Sequence, residues 1–544
     1  MMTRREILSL LAFSGVGITN LAGMSSFLSS CASRSLLGST PKLDRYGVTI
    51  LADGFRADMF KEMLEDGRLP NIKEHLVDRG TMVENCIGTF PSTSGPAHLP
   101  FINGMMPGNN NCPGLRWIDR KGKIVRDYCT LHSILFNNDF PNSNFTLYEA
   151  LSGSRTTCIF DFVSRGAYDI IRPSAKTLWF IVSGADDIWK NMDVYAVNEF
   201  EKTFNRGTLP RYSFVWMPSI DHLSHSHRCW DPVNNSWSHD IYEQALTVDR
   251  QVKRVMDILY KAGIYEKTIV SLVADHGLRD TDNVNAFSIR ETLQGYDFDV
   301  LDSLDKTDKY NSLYNHNAAR GVSGNGFSLL YFAKEKKGRF GMSTSNWEEP
   351  VEYEELFSFT SSKVVNLNII EELKNEDAIR FVMAKEKDDN FRVFTKNGEA
   401  LIERNFSDLK YSFTGVDPLG YSSNAKSSVF LDGNFHDKDD WFAATTGTDY
   451  PDGLFQISQL FDSDRCGEIV ISSEPGYDFM KQDHEATHGG LEKAEMMIPC
   501  VIAGPGIQQK MIPQARAVDL FPTYLKFLGY PNYDGEVLDV FMQE

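Results

Sequence analysis

The sequence predicts an α/β fold in which a parallel sheet is flanked by helices. Short apolar runs rich in β-branched and aromatic residues end abruptly at polar residues, which is typical of strands buried on both faces. Between them lie segments with apolar residues at three- and four-residue spacing, the pattern of amphipathic helices. Alternation of these two patterns indicates an α/β architecture. The composition agrees, since 42% hydrophobic and 24% charged residues are close to globular averages.

The predicted elements can be placed in order along the chain. We expect buried parallel strands at Tyr46–Ala52, Thr157–Phe160, Tyr212–Met217, Thr268–Ala274 and Ile498–Ala503. Helices are expected at Asp58–His75, Ile241–Lys261 and Ala517–Leu528. In open parallel sheets, ligands bind beyond the carboxyl ends of the strands. Polar residues that directly follow these strands are therefore candidates for a functional site.

The region 285–480 differs in composition from the rest of the chain. It is rich in Asn, Ser, Asp and Glu, and residues 378–404 alternate like short strands around a turn at Lys396-Asn397-Gly398. This pattern predicts a mixed α+β insertion in the main fold. We place the catalytic core at 44–335, the insertion at 336–411, and the return of the core at 412–544.

The N-terminus has the layout of an export signal. Arg4 and Arg5 precede the uncharged, mostly apolar stretch 7–28, and the paired arginines resemble a twin-arginine signal. The stretch ends in Leu28-Ser29-Ser30-Cys31, which resembles a bacterial lipoprotein box. We therefore expect residues 1–31 to be a signal peptide with a lipidated Cys31, and residues 32–43 to be a tether. An uncleaved membrane anchor is the alternative, because the apolar stretch is long enough to span a bilayer.

Both alternatives place the protein outside the cytoplasm, either in the periplasm or as a membrane-anchored lipoprotein of a bacterium. Its net charge of −19 argues against binding to duplex nucleic acid or to an anionic lipid surface. Membrane contact is thus expected only through the N-terminal lipid anchor. An anionic small-molecule substrate stays compatible with this charge, because bound metal ions reverse the local field. Eight cysteines without a CxxC pair predict neither a disulfide scaffold nor a zinc ribbon.

Four short segments supply aspartates and histidines in a pattern that suits divalent metals. The candidate ligands are Asp53 after the first strand, Asp221 and His225 after the third, Asp275 and His276 after the fourth, and His488 near the C-terminus. Carboxylate and imidazole together are ligands that suit zinc. A single strand-ending Asp is more often a turn former or helix cap, so the set matters more than any member. His222 and His227 compete with His225, and His484 competes with His488.

A candidate nucleophile lies in the segment 89–98, Thr-Phe-Pro-Ser-Thr-Ser-Gly-Pro-Ala-His. Ser94 is expected at the start of a helix with Pro96 in its first turn. A helix N-terminus offers free N–H groups and positive potential, which favour a phosphoryl group and a serine alkoxide. An ordinary N-cap role for Ser94 or Thr93 is the alternative. Pro100 is expected to kink this helix after one turn.

The ordered set resembles the alkaline phosphatase superfamily, and within it the type I phosphodiesterase / nucleotide pyrophosphatase branch. That branch has a Thr or Ser nucleophile followed by Pro, His and Gly at spacings that Ser94, Pro96, His98 and Gly104 match. The family's Asp-x-x-x-His, Asp-His-Gly and late His-Gly fall on the candidate ligands above. The resemblance implies an alkaline-phosphatase-like core with two divalent ions, most readily Zn²⁺. One ion would be held by Asp221, His225 and His488, and the other by Asp53, Asp275, His276 and the Ser94 oxygen.

The resemblance further implies a two-metal phosphohydrolase that cleaves phosphodiester or pyrophosphate bonds of a small-molecule ester through a phosphoserine intermediate. A phosphomonoesterase on the same site is the main alternative, and a catalytically inactive surface-binding lipoprotein is a remote one. A sulfatase would carry Arg where this chain has His98, and a phosphoethanolamine transferase would bring several membrane helices.

One departure from the family bears on the substrate. Nucleotide pyrophosphatases carry a phosphate-binding Asn about 21 residues after the nucleophile, where this chain has Leu115. Nucleotide specificity is therefore not predicted. The neighbouring Arg116 is a candidate contact for an anionic substrate, with a surface salt bridge as the alternative.

Overall fold

The fold is built around two large sheets. The computed structural model describes residues 44–173, 186–301, 313–337, 343–387, 389–480, 484–530, 533 and 535–542. The predicted signal peptide and tether lie outside these residues. The strands are β1 Tyr46–Ala52, β2 Gly80–Ile87, β3 Arg116–Asp119, β4 Ile124–Asp127, β5 Thr156–Ile159, β6 Asp169–Ile171, β7 Tyr212–Met217, β8 Trp230–Asp231, β9 Ser236–Trp237, β10 Thr268–Val273, β11 Arg279–Ala286, β12 Ala318–Ser323, β13 Phe327–Phe332, β14 Lys334–Lys337, β15 Ser343–Asn346, β16 Ile379–Lys385, β17 Asn390–Thr395, β18 Gly398–Asn405, β19 Asp408–Gly415, β20 His436–Asp437, β21 Ile469–Ser473, β22 Gly476–Asp478, β23 Ala486–Thr487, β24 Met497–Ile498, β25 Cys500–Ala503 and β26 Lys510–Arg516.

Helices connect and flank these strands. They are α1 Ala57–Glu65, α2 Pro70–His75, α3 Leu99–Asn103, α4 Phe136–Asp139, α5 Leu147–Ala150, α6 Asp186–Trp189, α7 Met192–Phe204, α8 Ser219–Ser224, α9 His239–Lys261, α10 Ile289–Gly295, α11 Ile369–Lys374, α12 Lys438–Thr445, α13 Gly453–Leu460, α14 Lys493–Met496 and α15 Leu520–Phe527. Within the described ranges, no helix is both long and apolar enough to cross a membrane.

The central sheet is mostly parallel, so the predicted α/β class is confirmed. Its strand order is β24-β2-β25-β10-β1-β7-β5-β6, and β26 pairs with β2. Val48 on β1 lies opposite Ser213 on β7 and Val270 on β10, both in parallel register. β25 runs antiparallel to β10 and to β2, so the prediction of a parallel strand over 498–503 is wrong. A buried apolar run indicates burial on both faces, but it carries no information on strand direction.

The carboxyl ends of five strands meet at one edge of this sheet. β1, β5, β7 and β10 are mutually parallel. β2 runs in the same direction, because two antiparallel steps through β25 connect it to β10. The segments after these strands carry the candidate metal ligands except His488, which follows β23, and they include the segment that contains Ser94. The edge at which they meet is where an open α/β sheet binds its ligands.

The predicted helices are present with modified boundaries. The segment predicted as Asp58–His75 is divided into α1 and α2, because Gly67 with a φ of 68° ends the first helix and Pro70 begins the second. α9 is a single amphipathic helix whose buried face includes Val248, Val252 and Val255. At the C-terminal end of the core, α15 packs on the sheet through Tyr524, whose hydroxyl donates to the carbonyl of Val48 over 2.6 Å.

The second sheet is antiparallel throughout, with the order β12-β13-β21-β16-β17-β18-β19-β20. It therefore begins before and ends after the segment 336–411 that the sequence predicts as the insertion. The exact division into domains stays a prediction. β13 is buried at every position, like the core strands, so its composition does not mark a boundary. β12 and β13 are joined through Gly324 and Asn325, which both have positive φ and form a tight hairpin turn.

Candidate active site

Asp53 and Asp275 are buried at the ends of two neighbouring parallel strands. Asp53 follows β1 directly, and Asp275 comes two residues after β10. Gly54 has a φ of 71°, and a Cβ at this position would lie 2.9 Å from the Cα of Asp221. Only glycine therefore allows α8, which carries Asp221, to lie against the end of β1. The backbone N–H of Asp221 donates to the carbonyl of Asp53 over 3.1 Å and fixes this approach.

Three of the predicted ligands are histidines held in the same tautomer. Each places Nδ1 at hydrogen-bond distance from a backbone carbonyl. The pairs are His225 with Ala486 at 3.0 Å, His276 with Gly277 at 2.9 Å, and His488 with Ser92 at 2.8 Å. Because a carbonyl oxygen can only accept, Nδ1 carries a proton in each case. In the neutral imidazole, Nε2 then offers its lone pair, which is the form that binds a metal ion.

The first group of predicted ligands meets around the carboxylate of Asp221. The Nε2 atoms of His225 and His488 lie 3.6 Å and 3.5 Å from its Oδ1. That buried oxygen has no hydrogen-bond partner. Burial alone would raise the pKa of Asp221, but the neighbouring imidazoles, that of His225 first, hold it well below its ordinary value. The structure thus brings together the three residues that the resemblance assigns to one metal ion.

The second group meets around Nε2 of His276. This atom lies 3.5 Å from Oδ1 of Asp53, 3.3 Å from Oδ2 of Asp275 and 3.2 Å from Oγ of Ser94. Oγ of Ser94 is also 3.4 Å from Oδ2 of Asp53. The two groups adjoin, because the imidazole rings of His276 and His488 stack with centroids 3.9 Å apart. Donor atoms of Asp221, His276 and His488 all lie within 4.8 Å of one another.

The electrostatics of the site favour bound cations. Burial, and then the charges of Asp275 and Asp221, raise the pKa of Asp53 well above its ordinary value. Burial and the charge of His276 lower the pKa of His488 to about 3, so this imidazole is neutral and able to coordinate. Three carboxylates this close together, two of them fully buried, repel one another unless positive charge lies between them. Carboxylate oxygens and imidazole nitrogens at these positions are ligands that suit divalent metal ions.

Ser94 is presented by a tight turn rather than by a long helix. The following residue, Gly95, has a φ of 86°, and the chain then forms a single 3-10 turn over Pro96–His98 before α3. Ser94 is therefore followed by one 3-10 turn and not directly by the α-helix that the sequence predicts at this point. Pro100 is the second residue of α3, where a missing N–H costs no hydrogen bond, so the predicted kink is absent.

His98 and Asp161 form a support behind Asp275 that the sequence did not predict. The fully buried imidazole of His98 places Nδ1 2.6 Å from Oδ1 of Asp161 and Nε2 3.1 Å from Oδ2 of Asp275. Because both partners accept hydrogen bonds, the ring is a doubly protonated cation. Burial alone would lower the pKa of His98, but the two carboxylates raise it to about 10. His98 therefore orients Asp275 and offsets its charge, and both of its nitrogens are occupied.

Trp216 is a second supporting residue that the sequence did not single out. Its indole N–H donates to Oδ2 of Asp53 over 2.7 Å. The ring of Phe162 packs on it with centroids 5.0 Å apart. Leu115 lies close to the residue after Ser94, because a Cβ on Gly95 would lie 3.7 Å from its side chain. Trp216, Phe162 and Leu115 are all half-buried, so each keeps part of its apolar surface exposed.

The second sheet holds the loop that carries His488. The backbone N–H of His488 donates to the carbonyl of Gly324 over 3.0 Å, and its carbonyl accepts from Gly326 over 2.8 Å. The β12–β13 hairpin thus fixes both sides of this ligand. His484, which the sequence left as an alternative to His488, instead lies 2.9 Å from the buried carboxylate of Asp478. Its ring centroid is 5.3 Å from that of His225, so it borders the site.

Arg116 makes contacts within the protein. Its Nε donates to Oδ2 of Asp127 over 3.0 Å, and Nη1 donates to the carbonyl of Val322 over 2.5 Å. The side chain is 22% exposed, and these partners occupy one edge of the guanidinium. A role for Arg116 in substrate binding stays a prediction.

A comparison with protein families decides the membership of the chain. Residues 48–321 match the model of the type I phosphodiesterase / nucleotide pyrophosphatase family. The chain belongs to this family. The resemblance inferred from the ordered motifs is therefore confirmed, and it places the chain among enzymes that hydrolyse small phosphate esters, phosphodiesters among them. Metal dependence is typical of the family, and candidate clusters of metal-binding residues are present at this site.

Solved structures of family members confirm the fold. Human ectonucleotide pyrophosphatase/phosphodiesterase 5 has a TM-score of 0.53 at 11% identity, covering 91% of this chain and 97% of its own. The murine protein has a TM-score of 0.51 at 13% identity, with 92% and 100% covered. An inactive murine variant in complex with AMP gives 0.50 at 13% identity, with 90% and 97% covered. No curated protein sequence matches this chain.

Proposed function

We propose that this family member hydrolyses phosphodiesters with two bound divalent metal ions, most readily Zn²⁺, through a covalent phosphoserine at Ser94. The observation that carries the proposal is the position of the Ser94 hydroxyl, 3.2 Å from Nε2 of His276 and 3.4 Å from a carboxylate oxygen of Asp53. A serine hydroxyl among metal-ligand atoms is placed to become a nucleophile, because its proton is lost more easily there.

The residues that would hold the ions divide into the two groups described above. Asp221, His225 and His488 would hold one ion, and Asp53, Asp275, His276 and the Ser94 oxygen would hold the other. When bound, such a pair of ions lowers the pKa of the nucleophile and of water and stabilises the charge on the phosphoryl group. The three histidines are oriented for this role, because their Nδ1 hydrogen bonds leave Nε2 as the atom available for coordination.

Ser94 carries the covalent chemistry. The Ser94 hydroxyl gives up its proton to solvent as its oxygen forms a bond to phosphorus. The bond from phosphorus to the departing ester oxygen breaks, and the released alkoxide takes up a proton from solvent. Water then attacks the phosphoseryl group, the Ser94 oxygen leaves, and the serine hydroxyl is restored. His98 and Trp216 keep Asp275 and Asp53 in place throughout, since both donate hydrogen bonds to those carboxylates.

The surroundings of Ser94 support a diester over a monoester substrate. A diester keeps an uncharged organic group on phosphorus, and Leu115, Phe162 and Trp216 offer it apolar surface beside the nucleophile. A monoester instead presents an additional negatively charged oxygen, which gains nothing from apolar neighbours. A phosphomonoesterase on the same site is the alternative reaction.

Steady-state kinetics on the Zn²⁺-loaded protein test the proposal. We expect kcat/KM for bis-p-nitrophenyl phosphate to exceed that for p-nitrophenyl phosphate by about a hundredfold, or about 2.7 kcal/mol of transition-state stabilisation. The Ser94→Ala variant should bind metal normally but form no phosphoenzyme and lose turnover. A reversed substrate preference would make the protein a phosphomonoesterase, and retained activity in Ser94→Ala would exclude the serine nucleophile.

A matched variant tests the contribution of the apolar surface. Leu115→Ala removes most of an apolar side chain, so the diester preference should fall about tenfold, which corresponds to the ~1.4 kcal/mol expected from losing most of one leucine side chain. Val233→Ala, at a position 89% exposed, is the control. An unchanged substrate ratio in Leu115→Ala would show that the second ester group does not bind there.

We also propose that the protein is exported and anchored through a lipid on Cys31. The support is the charged start, the apolar stretch and the Leu-Ser-Ser-Cys sequence. Fractionation of cells expressing the full chain, with mass spectrometry of the mature N-terminus, tests this proposal. Wild type should be membrane-bound and begin at a lipidated Cys31, and Cys31→Ala should lose the lipid. A chain that keeps residues 1–30 in the membrane would indicate an uncleaved anchor instead.

A further inference from the structure

The short segment 493–496, which forms α14, contacts three loops of the candidate site. The backbone carbonyl of Glu495 accepts the N–H of Gly277, the residue after His276, over 2.7 Å. Oε1 of Glu495 accepts the N–H of Gly490, two residues after His488, over 3.0 Å. The carbonyl of Met496 accepts the N–H of Gly88, in the loop between β2 and Ser94, over 2.8 Å.

The glycines in these contacts show how closely the segment approaches. A Cβ on Gly277 would lie 2.0 Å from the carbonyl oxygen of Ala494. A Cβ on Gly490 would lie 2.6 Å from Oε2 of Glu495. A side chain at position 277 would clash with the backbone, so the His276 loop depends on glycine there, and a side chain at position 490 would displace the Glu495 carboxylate. The contacts are therefore tight on both sides of Glu495.

Glu495 itself is an unusual residue for a structural support. Its side chain is fully buried, and Oε2 lies 3.4 Å from Nε of Arg279 without a hydrogen bond. Placing a carboxylate in the interior costs free energy that a neutral residue would avoid. The hydrogen bond to Gly490 is a contact that a buried apolar residue could not make.

We propose that Glu495 is a positioning residue that sets the separation of the two ligand groups. It holds the loop of His276 through its backbone and the loop of His488 through its carboxylate. His276 belongs to one ligand group and His488 to the other, and their rings stack at 3.9 Å. A change in the distance between these loops would therefore change the distance between the two bound ions. This inference rests on the proposed two-metal function.

Three substitutions at position 495 separate the role of the hydrogen bond from the role of charge. Glu495→Gln keeps an oxygen acceptor at the same reach and removes the charge. Glu495→Asp keeps the charge but withdraws the oxygen from Gly490 by one methylene. Glu495→Ala removes both. Glu492→Gln is the matched control, because Glu492 also faces Arg279, at 3.9 Å, but lies outside the contact with the His488 loop.

Metal content and spacing are the readouts. Equilibrium binding of Zn²⁺ should weaken by about 10–100-fold in Glu495→Ala and Glu495→Asp, while Glu495→Gln and Glu492→Gln stay within about threefold of wild type. With Mn²⁺ in both positions, at the separation of about 3.5–4 Å usual for such pairs, wild type and Glu495→Gln should show a spin-coupled resonance spectrum. Glu495→Asp should lose this coupling. Its kcat should fall with KM little changed.

Each outcome is decisive. Wild-type affinity and coupling in Glu495→Asp would overturn the positioning role. Equal losses in Glu495→Gln and Glu495→Asp would overturn it as well, since charge or packing would then be the cause. If Glu495→Ala does not fold, the Gln and Asp variants still decide. A wild-type chain that binds no metal would instead overturn the proposed function, so the two failures are distinguishable.

Discussion

Removal of the His98 side chain should destabilise the protein strongly, because it leaves two buried carboxylates without their shared partner. His98 has no exposed surface, and its nitrogens lie 2.6 Å from Asp161 and 3.1 Å from Asp275, which are buried as well. Breaking a buried ion pair by removing one partner costs about 3–5 kcal/mol. We expect His98→Ala to lower the free energy of unfolding by this amount in metal-free protein.

The pH dependence provides an independent measure of the same interaction. The pKa of His98 is raised from 6.5 to about 10 in the folded protein. Its contribution is therefore fully present below pH 6.5 and is lost as the pH rises toward about 10. A shift of this size corresponds to about 5 kcal/mol, since each pKa unit is about 1.4 kcal/mol. Wild type should lose stability over this range, and His98→Ala should lose much less.

Urea denaturation of metal-free protein at several pH values tests both statements. The double variant His98→Ala/Asp161→Asn should be less destabilised than the sum of its single variants, because it no longer leaves Asp161 charged and unpaired. His436→Ala removes a histidine paired with Asp432 at the surface, and its midpoint should stay close to wild type. Parallel pH curves for wild type and His98→Ala, or additive single effects, would refute the reasoning.

Three further predictions concern the ligand site. Zn²⁺ affinity should fall as the pH is lowered, because the raised pKa values of His225 and Asp53 leave protons that the ion must displace. Calorimetry in buffers of different ionisation enthalpy should show proton release on Zn²⁺ binding, and the absence of release would contradict these pKa shifts. Trp216→Phe removes the indole N–H that donates a hydrogen bond to Asp53. Metal affinity should fall by about 10–100-fold with little change in folding. Wild-type metal affinity in this variant would exclude a supporting role for Trp216. Gly277→Ala should lower the melting temperature and weaken metal binding, because the new Cβ would lie 2.0 Å from the carbonyl oxygen of Ala494. Gly295→Ala is the control, since the space around Gly295 is open, and its melting temperature should stay near wild type. Equal melting temperatures for the two variants would refute the close approach at Gly277.

The sequence predicts much of this site because strand ends can be recognised locally. Asp53 and Asp275 follow apolar runs that the structure shows as β1 and β10, and parallel strands bring their carboxyl ends to the same edge. The order of the motifs then indicates the family, and the match over residues 48–321 confirms it. Local pattern and family resemblance together suffice for the fold class and for the grouping of the candidate ligands.

The supporting residues are harder to predict, because their roles depend on tertiary contacts. His98 lies in the nucleophile segment and Asp161 follows a predicted strand, yet nothing local indicates that they pair across 63 positions of sequence. The antiparallel direction of β25 is likewise set by the connection through α14, and a buried apolar run does not reveal it. Glu495 resembles any acidic residue of an amphipathic segment until its full burial is known.

The charge of the protein explains why the ligand groups are central to the proposed activity. A chain of net charge −19 that acts on anionic esters needs local positive charge to bind its substrate. Arginines that flank the site make contacts within the protein: Arg116 contacts Asp127, and Arg279 contacts Glu495. His98 offsets part of the charge of the buried carboxylates but lies behind Asp275, with both nitrogens occupied. Metal ions between Asp53, Asp221 and Asp275 would provide positive charge that can face the substrate. In this proposal the acidic fold and the anionic substrate are compatible because the buried carboxylates attract the cations that bind the phosphoryl group.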